Sequence, residues 1–266
     1  MCQPPTSVMI DLVMTVYQVF ILLATGVAGG LASTVASVAS VVSYPALLAL
    51  GLSPLSANVT NTMSLVLTGA GSVLGSRPEL AGQRDRVLRL GAVTALGGAT
   101  GAAILLLAPA GTFRVVVPVL IGGACLLLLA QPMIRGLAPR PGAERSRRTL
   151  AGAYGVFGAA AYVGYFGAAG GILMIAVLST VISESLIRVN ALKNAILGAA
   201  NGVAAIIFAL FAPVHWLFVP PLAAGFLIGG FTGPRIARRL PVTGLRDFVA
   251  LCGLALAVRL GIAAYR

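Results

Sequence analysis

The sequence predicts an all-α, polytopic helical membrane protein built from two repeats of about four to five hydrophobic segments, about eight to ten in total. Three observations lead to this fold class: the composition, the lengths of the apolar runs and an internal repeat. Of the 266 residues, 59% are hydrophobic and 9% are charged, and the mean hydropathy is +1.02. A soluble domain carries about 25% charged residues. We therefore expect the chain to lie in a lipid bilayer and to cross it several times.

The apolar runs have the lengths of membrane helices. A helix needs about 20 apolar residues to cross a hydrocarbon core of about 30 Å. Runs close to this length, or longer, lie at 8–31, 32–50, 55–75, 87–108, 115–134, 150–182, 189–211, 216–233 and 248–264. They lack the polar and apolar alternation of a membrane β-barrel, and lipid does not tolerate open sheet edges. Each run is therefore predicted to be helical.

The second half of the chain resembles the first when the numbering is shifted by a constant offset of 132 or 133. At the offset of 132, the motif GGATG at 97–101 aligns with GGFTG at 229–233. Pro109 also aligns with Pro241 and Arg114 with Arg246, while Asn61 aligns with Asn194 at an offset of 133. We expect a first transmembrane repeat at 1–135, an Arg-rich cytoplasmic linker at 136–149 and a second transmembrane repeat at 150–266.

The arginine positions favour an inverted relation between the repeats, since cytoplasmic loops collect Arg and Lys. In the first half, arginines cluster at 77–89 and again at 135–148, which predicts that both segments are cytoplasmic. In the second half, the counterpart of the 77–89 loop is the segment 212–215, which has no full charge. The counterpart of the Pro109 turn instead carries Arg235, Arg238 and Arg239.

Inversion requires an odd number of crossings in each repeat, which a broken first helix in each repeat would supply. The run at 150–182 is too long for one upright span and too short for two. A pair of short or re-entrant helices with a break near 167–171 fits it. In the first half the matching segment begins at Ser37. The alternative is one long, tilted helix in each half, which gives eight spans and parallel repeats. Counting charges does not decide between the two.

Several functional classes are excluded or disfavoured. The net charge of +12 comes from scattered arginines without a basic helix face or an aromatic-rich groove, so nucleic-acid binding is not expected. The three cysteines lie far apart and form no metal motif, and His215 beside Trp216 is typical of a membrane interface. No HExxH, GxSxG or Walker-type motif occurs. We therefore expect no enzyme activity, no metal site and no cofactor.

The two expected breaks carry groups that can bind an anion. Unwound backbone and the N-termini of half-helices expose N–H groups. The second half offers the glycine-rich segment 165–171, and the first half offers Ser37 and Ser40, followed by Ser43 and Tyr44. Glycine allows close approach of the backbone, and serine hydroxyls can donate to an oxyanion. The structural alternative is close helix packing through small residues.

Two amide motifs follow the breaks. Asn58 and Asn61 are spaced i to i+3, and Asn190 and Asn194 are spaced i to i+4, so each pair lies on one helix face. Lys193, the only lysine, lies beside the second pair, and a cation at the bilayer centre costs about 2.5–3.5 kcal/mol. Either Lys193 faces a water-filled cavity and holds an anionic substrate, or its side chain snorkels to the interface near Arg188.

At these residues the chain resembles the TauE/SafE family of membrane proteins, proposed exporters of sulfite and organosulfonates. The resemblance covers nearly the whole chain as two family repeats. Its first part is YPALL at 44–48 with ANVTN at 57–61, and its second part is YFGAAGG at 165–171 with NALKN at 190–194. Where glycines are common before the Tyr-Pro pair in the family, this chain has Ser33, Ser37 and Ser40. The resemblance implies transport of small sulfur oxyanions.

The sequence thus predicts an exporter of small anions in the plasma (inner) membrane of a bacterial cell. Its expected partners are a small anionic substrate and the surrounding lipid, and a homo-oligomer is possible. The alternatives are an anion channel and a membrane scaffold subunit. The expected substrate-binding residues are small or polar side chains of the breaks and amide motifs, namely Ser37, Ser40, Tyr44, Asn58, Thr60, Asn61, Tyr165, Gly170, Gly171, Asn190, Lys193 and Asn194.

The arginine asymmetry predicts the sidedness of three loops. Single cysteines at positions 84, 145 and 238, placed in a cysteine-free background, should all resist a membrane-impermeant thiol reagent in intact cells, because all three positions are expected in the cytoplasm. Labelling should appear only after the cells are opened. Labelling of position 238 but not of position 84 in intact cells would contradict the inverted arrangement.

Overall fold

A computed structural model describes residues 16–109, 111–136, 145–182 and 184–237, together with 251, 253–255, 257–262 and 264. Over this part of the chain the structure is helical without any strand, which confirms the all-α class. Most of the expected linker at 136–149 lies outside the described residues, as do Arg238, Arg239, Pro241 and Arg246.

The helices follow the order of the apolar runs. In the first half they are α1 (Val16–Ala36), α2 (Ala39–Ala49), α3 (Pro54–Gly75), α4 (Arg77–Leu80), α5 (Arg84–Leu107) and α6 (Thr112–Gly136). In the second half they are α7 (Arg145–Tyr165), α8 (Gly170–Val181), α9 (Leu186–Phe211) and, after a 3-10 turn at Trp216–Phe218, α10 (Val219–Ala237). A further apolar helical segment is Gly253–Ile262.

Four helical stretches among the described residues are long and apolar enough to cross a membrane, namely Val16–Thr34, Arg84–Leu107, Leu186–Phe211 and Trp216–Ile236. Their outer faces carry large apolar side chains, such as Leu107 at 84% exposed and Phe211 at 72%. In water such surfaces would be costly, whereas lipid covers them without penalty. The chain is therefore a multi-pass membrane protein.

In each half, the first helix that the structure describes is broken. The predicted runs 32–50 and 150–182 are not single helices, because α1 ends at Ala36 and α2 begins at Ala39, while α7 ends at Tyr165 and α8 begins at Gly170. The short helices α2 and α8 have 11 and 12 residues. At about 1.5 Å per residue they rise only about 16–18 Å. Each is therefore about half as long as the hydrocarbon core is thick.

The backbone at both breaks enters the left-handed region. Gly167 has a positive φ, which glycine adopts freely, but Ser37 and Ala169 also have a positive φ and are not glycines. A left-handed conformation costs an ordinary residue on the order of 1–3 kcal/mol. Ser37 and Ala169 lie at the repeat offset of 132, so the same costly conformation occurs at matching points of the two halves.

Each half of the chain packs one of its helices against helices of the other half. In one group α10 packs against α1 and α3, and in the other α5 packs against α7 and α9. Glycines allow the helices to approach closely. A Cβ at Gly30 would lie 2.9 Å from the Cα of Gly229, and one at Gly98 would lie 2.5 Å from the carbonyl oxygen of Ala200. Each half thus contributes one helix to the other half's group.

The central helices α3 and α9 run in opposite directions. Ser56 near the start of α3 donates to the carbonyl of Pro213 beyond the end of α9, at 2.6 Å. Arg188 near the start of α9 donates to the carbonyl of Ala81 beyond the end of α3, at 3.0 Å. The two helices meet where a Cβ at Gly69 would lie 2.7 Å from the Cα of Gly198. The end of the bundle that carries Arg77, Arg84, Arg86 and Arg188 is called the arginine end below.

Because α1 and α10 lie so close, one added methyl group at Gly30 is predicted to lower the stability of the protein. Gly30→Ala places a Cβ 2.9 Å from three backbone atoms of α10. The helices must then separate, which costs about 1–3 kcal/mol. A lower melting temperature in detergent, followed by tryptophan fluorescence, is the expected result. Gly123→Ala is the control, because a Cβ there meets no atom within 4 Å. Equal melting temperatures for both variants would contradict the close contact.

Candidate functional site

A cavity lies at the centre of the bundle, between the two helix breaks and the central helices. Its volume, traced by the centre of a water-sized sphere, is about 50 Å³. At about 10–15 Å³ for each water on this measure, it holds about three to five waters or one small oxyanion. The lining comes from four places: the first break (Ser33, Ser37, Ala39, Ser40), α3 (Thr62, Leu65, Thr68, Gly69, Ser72), the second break (Val163, Phe166, Gly167, Gly171) and α9 (Lys193, Asn194, Leu197, Gly198, Asn201).

The two breaks touch each other at this cavity. A Cβ at Gly171 would lie 2.8 Å from the Cβ of Ser37, so only glycine fits there. The first residues of α2 and α8 are therefore neighbours, and Ala39, Ser40 and Gly171 all line the cavity. Tight turns bind part of the first N–H groups of these helices, such as that of Ile172, which donates to the carbonyl of Ala169 at 2.9 Å. The helix dipole adds partial positive charge at both helix starts. The arrangement favours a negatively charged ligand.

Lys193 supplies a full positive charge at the cavity. Its side chain is 1% exposed, and its Nζ donates to Ser37 Oγ at 2.7 Å and to the carbonyl of Ser33 at 3.3 Å. This position differs from the snorkelling alternative, in which the ammonium would reach the interface near Arg188. The serine that accepts from Lys193 is also the residue with the left-handed backbone. The position of the ammonium therefore depends on the first break.

Asn194 and its counterpart Asn61 have different surroundings. Asn61 is held on both sides, since its Nδ2 donates to Ser40 Oγ at 3.0 Å and its Oδ1 accepts from Ser43 Oγ at 2.5 Å. Asn194 lines the cavity, is 7% exposed, and its Nδ2 has no hydrogen-bond partner among the described residues. In the second half, the positions that align with Ser40 and Ser43 are apolar at either offset. Ser40, for example, aligns with Ile172 at the offset of 132. The amide of Asn194 is therefore available to a ligand.

The other two asparagines bind the ends of the broken helices. Asn58 Nδ2 donates to the carbonyl of Tyr165 at 2.9 Å, and Asn190 Nδ2 donates to the carbonyl of Thr34 at 2.8 Å. Each carbonyl belongs to the last turn of the first helix of the opposite half, where it has no helical partner. Asn58 and Asn190 thus satisfy the backbone that the breaks leave open, and neither lines the cavity.

The remaining predicted site residues lie behind the cavity wall. Tyr44 packs edge-on against Phe166, with ring centroids 5.3 Å apart, and Tyr165 contacts Phe113 at 5.9 Å. Thr60 Oγ1 accepts from the backbone N–H of His215 at 3.0 Å. A Cβ at Gly170 would meet Val163. Of the twelve predicted residues, the structure brings five to the cavity, namely Ser37, Ser40, Gly171, Lys193 and Asn194.

Several lining residues were missing from the sequence-based set. Ser33, Thr62, Thr68, Ser72 and Asn201 are polar, and all line the cavity. A helical stripe could have indicated the members on α3, because residues 61, 65, 68 and 72 are spaced by three or four positions and share one face. At the offset of 133, which aligns Asn61 with Asn194, Thr68 aligns with Asn201, whereas Ser72 aligns with an alanine.

The lining is rich in donors. Its described residues include one ammonium, the amides of Asn194 and Asn201, several hydroxyls and the starts of two helices, and they include no carboxylate. Over the part of the chain that the structure describes, no three His, Cys, Asp or Glu side chains are grouped so that they could hold a metal ion. Such a site can hold a small anion by charge and hydrogen bonds but offers no group arranged for covalent chemistry.

Comparison with known families is consistent with this chemistry. The family model described as "Sulfite exporter TauE/SafE" matches residues 21–260. No curated protein and no solved structure gives a significant match to the chain.

The charge of Lys193 is predicted to govern anion binding. Lys193→Gln removes an attraction that the surrounding protein screens poorly. It should weaken the binding of sulfite at least about tenfold, or about 1.4 kcal/mol. Lys193→Arg should keep the attraction but crowd the cavity. Titration calorimetry on purified protein in nanodiscs measures the affinity.

Arg188→Gln is the matched control, because Arg188 lies five residues earlier on the same helix but does not line the cavity. It should bind sulfite as the wild type does. Unchanged affinity in a correctly folded Lys193→Gln protein would contradict the anion-holding role and leave the amide and hydroxyl donors as the binding groups.

Proposed function

Because the chain belongs to the sulfite exporter TauE/SafE family, a family of membrane transporters, we propose that it exports a small sulfur oxyanion such as sulfite or an organosulfonate. Family membership makes the protein a transporter and not an enzyme, as the sequence predicted. The observation that carries the proposal is the central cavity, where Lys193, Asn194 and two helix N-termini meet and no described lining residue is a carboxylate. A bacterial plasma (inner) membrane is the proposed location.

The charge of the cavity fits an exporter driven by the membrane potential. An inside-negative potential favours outward movement of an anion by about 2.3 kcal/mol per charge per 100 mV. Export of an anion therefore needs no coupling ion. The described lining also has no carboxylate that could carry a coupled proton.

We propose that the two halves are inverted repeats of one fold, the first ending near residue 135 and the second beginning near residue 150. Two facts support this: α3 and α9 occupy matching places in the halves and run in opposite directions, and the main contacts come in matched pairs. The donors Asn58 and Asn190 are related by the repeat offset of 132, as are Ser56 and Arg188. Each of these donors binds the opposite half.

This architecture provides a mechanism for alternating access. Each half contributes one broken helix, and the substrate binds where the two breaks meet, near the centre of the bundle. A rocking movement of the group α1, α3 and α10 against the group α5, α7 and α9 would open the cavity first to one side and then to the other. The cavity holds only one small oxyanion, so each cycle would move one substrate.

Reconstituted protein tests the function. Proteoliposomes loaded with ³⁵S-sulfite should release it faster when valinomycin and a potassium gradient make the interior negative, because the potential drives the anion outward. Release should saturate with sulfite concentration and should be accelerated by unlabelled sulfite outside, as a carrier requires.

Protein-free vesicles and Lys193→Gln vesicles are the controls. Release that rises linearly with concentration and shows no acceleration by outside sulfite would identify a channel. The absence of release from vesicles with correctly folded protein would contradict transport and favour the scaffold alternative.

A further inference from the structure

Two residues of α3 that line the cavity have buried hydroxyls without a partner. Thr68 is 4% exposed and Ser72 is 1% exposed, and neither hydroxyl has a hydrogen-bond partner within the described part of the chain. Both residues line the cavity. Burying a hydroxyl without a hydrogen bond is unfavourable, so two such groups at one cavity indicate that something else binds them.

Other hydroxyls of the same helix behave differently. Thr62 Oγ1 donates to the carbonyl of Asn58 at 3.0 Å, and Ser64 Oγ donates to the carbonyl of Thr60 at 2.9 Å. Such bonds to the carbonyl four residues earlier are a common way in which a helical hydroxyl is satisfied. Thr68 and Ser72 lack this bond, although a carbonyl of α3 lies four residues before each of them. Their hydroxyls are therefore available to a ligand in the cavity.

Ser72 lies at about the same depth as Lys193. The end of α3 and the start of α9 meet at the arginine end, where Arg188 binds the carbonyl of Ala81. Ser72 lies five residues before Arg77, and Lys193 lies five residues after Arg188. Each is therefore about one and a half helical turns from this end. Ser72 and Lys193 therefore lie at similar heights on two different helices, and both line the cavity.

We infer that Thr68, Ser72 and the amide of Asn194 form the uncharged half of the substrate site and give it selectivity for oxyanions over monatomic anions. The inference rests on the proposed transport function. Lys193 attracts any anion by its charge. An oxyanion has several oxygens pointing in different directions, so it can accept from Lys193 with one oxygen and from the α3 hydroxyls with another. A chloride ion is a single atom. Hydroxyl and amide donors that lie at different places in the cavity therefore cannot all bind it at once.

The test separates selectivity from charge. In proteoliposomes, the double variant Thr68→Val plus Ser72→Ala should raise the KM for sulfite at least tenfold, while the inhibition constant of chloride as a competitor stays within twofold of the wild type. Lys193→Gln should weaken both sulfite and chloride. Ser64→Ala is the matched control, since it removes a buried hydroxyl of the same helix that is bound to its own backbone.

A second pair of variants shows whether the double variant loses affinity because it lacks the hydroxyls or because it misfolds. Thr68→Ser and Ser72→Thr keep the hydroxyls and should retain a sulfite KM within about threefold of the wild type. If the double variant loses sulfite and chloride affinity equally, or matches the wild type, the inference is overturned and the hydroxyls only hold water. If the wild type itself neither binds nor transports sulfite, the proposed function fails first, which distinguishes the two failures.

Discussion

The structure depends on one constraint: backbone groups and charges inside a bilayer must find partners within the protein. Two helices are broken at the centre of the bundle, and each break leaves carbonyls and N–H groups without helical partners. The carbonyl ends are bound by Asn58 and Asn190, each from the opposite half. At the N-terminal ends, the N–H groups of Val41, Gly170 and Ile172 donate to carbonyls within the breaks. Ala39, Ser40 and Gly171 line the shared cavity, where an anion or water can bind. The exchange of asparagines makes each half necessary for the other's broken helix.

The two halves of the chain place different groups at the cavity. In the first half Asn61 is bound by Ser40 and Ser43, so its amide supports the fold. In the second half the same place is apolar, the amide N–H₂ of Asn194 has no partner among the described residues, and Lys193 adds a charge. The first half contributes Ser37, whose hydroxyl accepts from the Lys193 ammonium and whose backbone is left-handed. The cation comes from one half, and its anchoring serine comes from the other.

The sequence was sufficient for the fold class and for the location of the two helix breaks. Composition and run length determine the all-α membrane class, because helices satisfy the backbone of such apolar runs in lipid. The glycine-rich segment and the repeat offset located both breaks within a few residues. The break at Ser37 was the harder one, because serine is not an obvious left-handed residue and only the repeat alignment pointed to it.

The sequence was insufficient for the roles of individual residues. Asn58, Asn61, Asn190 and Asn194 look alike as a repeated motif, yet only Asn194 reaches the cavity, because partners distant in sequence capture the other three. Tyr44 and Tyr165 were included in the expected site because of their motifs, but aromatic contacts hold their rings behind the wall. Thr68 and Ser72 share a helix face with Asn61, which could have indicated their position, but only the packed structure shows that their hydroxyls have no partner.

The central claim is that an anion binds where the two breaks meet, beside Lys193. Crystals grown in a lipid phase and soaked with selenite, the heavier analogue of sulfite, allow the anion to be located by the anomalous scattering of selenium. The account predicts one strong selenium peak beside Lys193, placed so that an oxygen of the anion lies within hydrogen-bond distance of Nζ, and close to Ser37 and Gly171. A selenium peak only among the arginines of the arginine end, with the central cavity holding water, would contradict it.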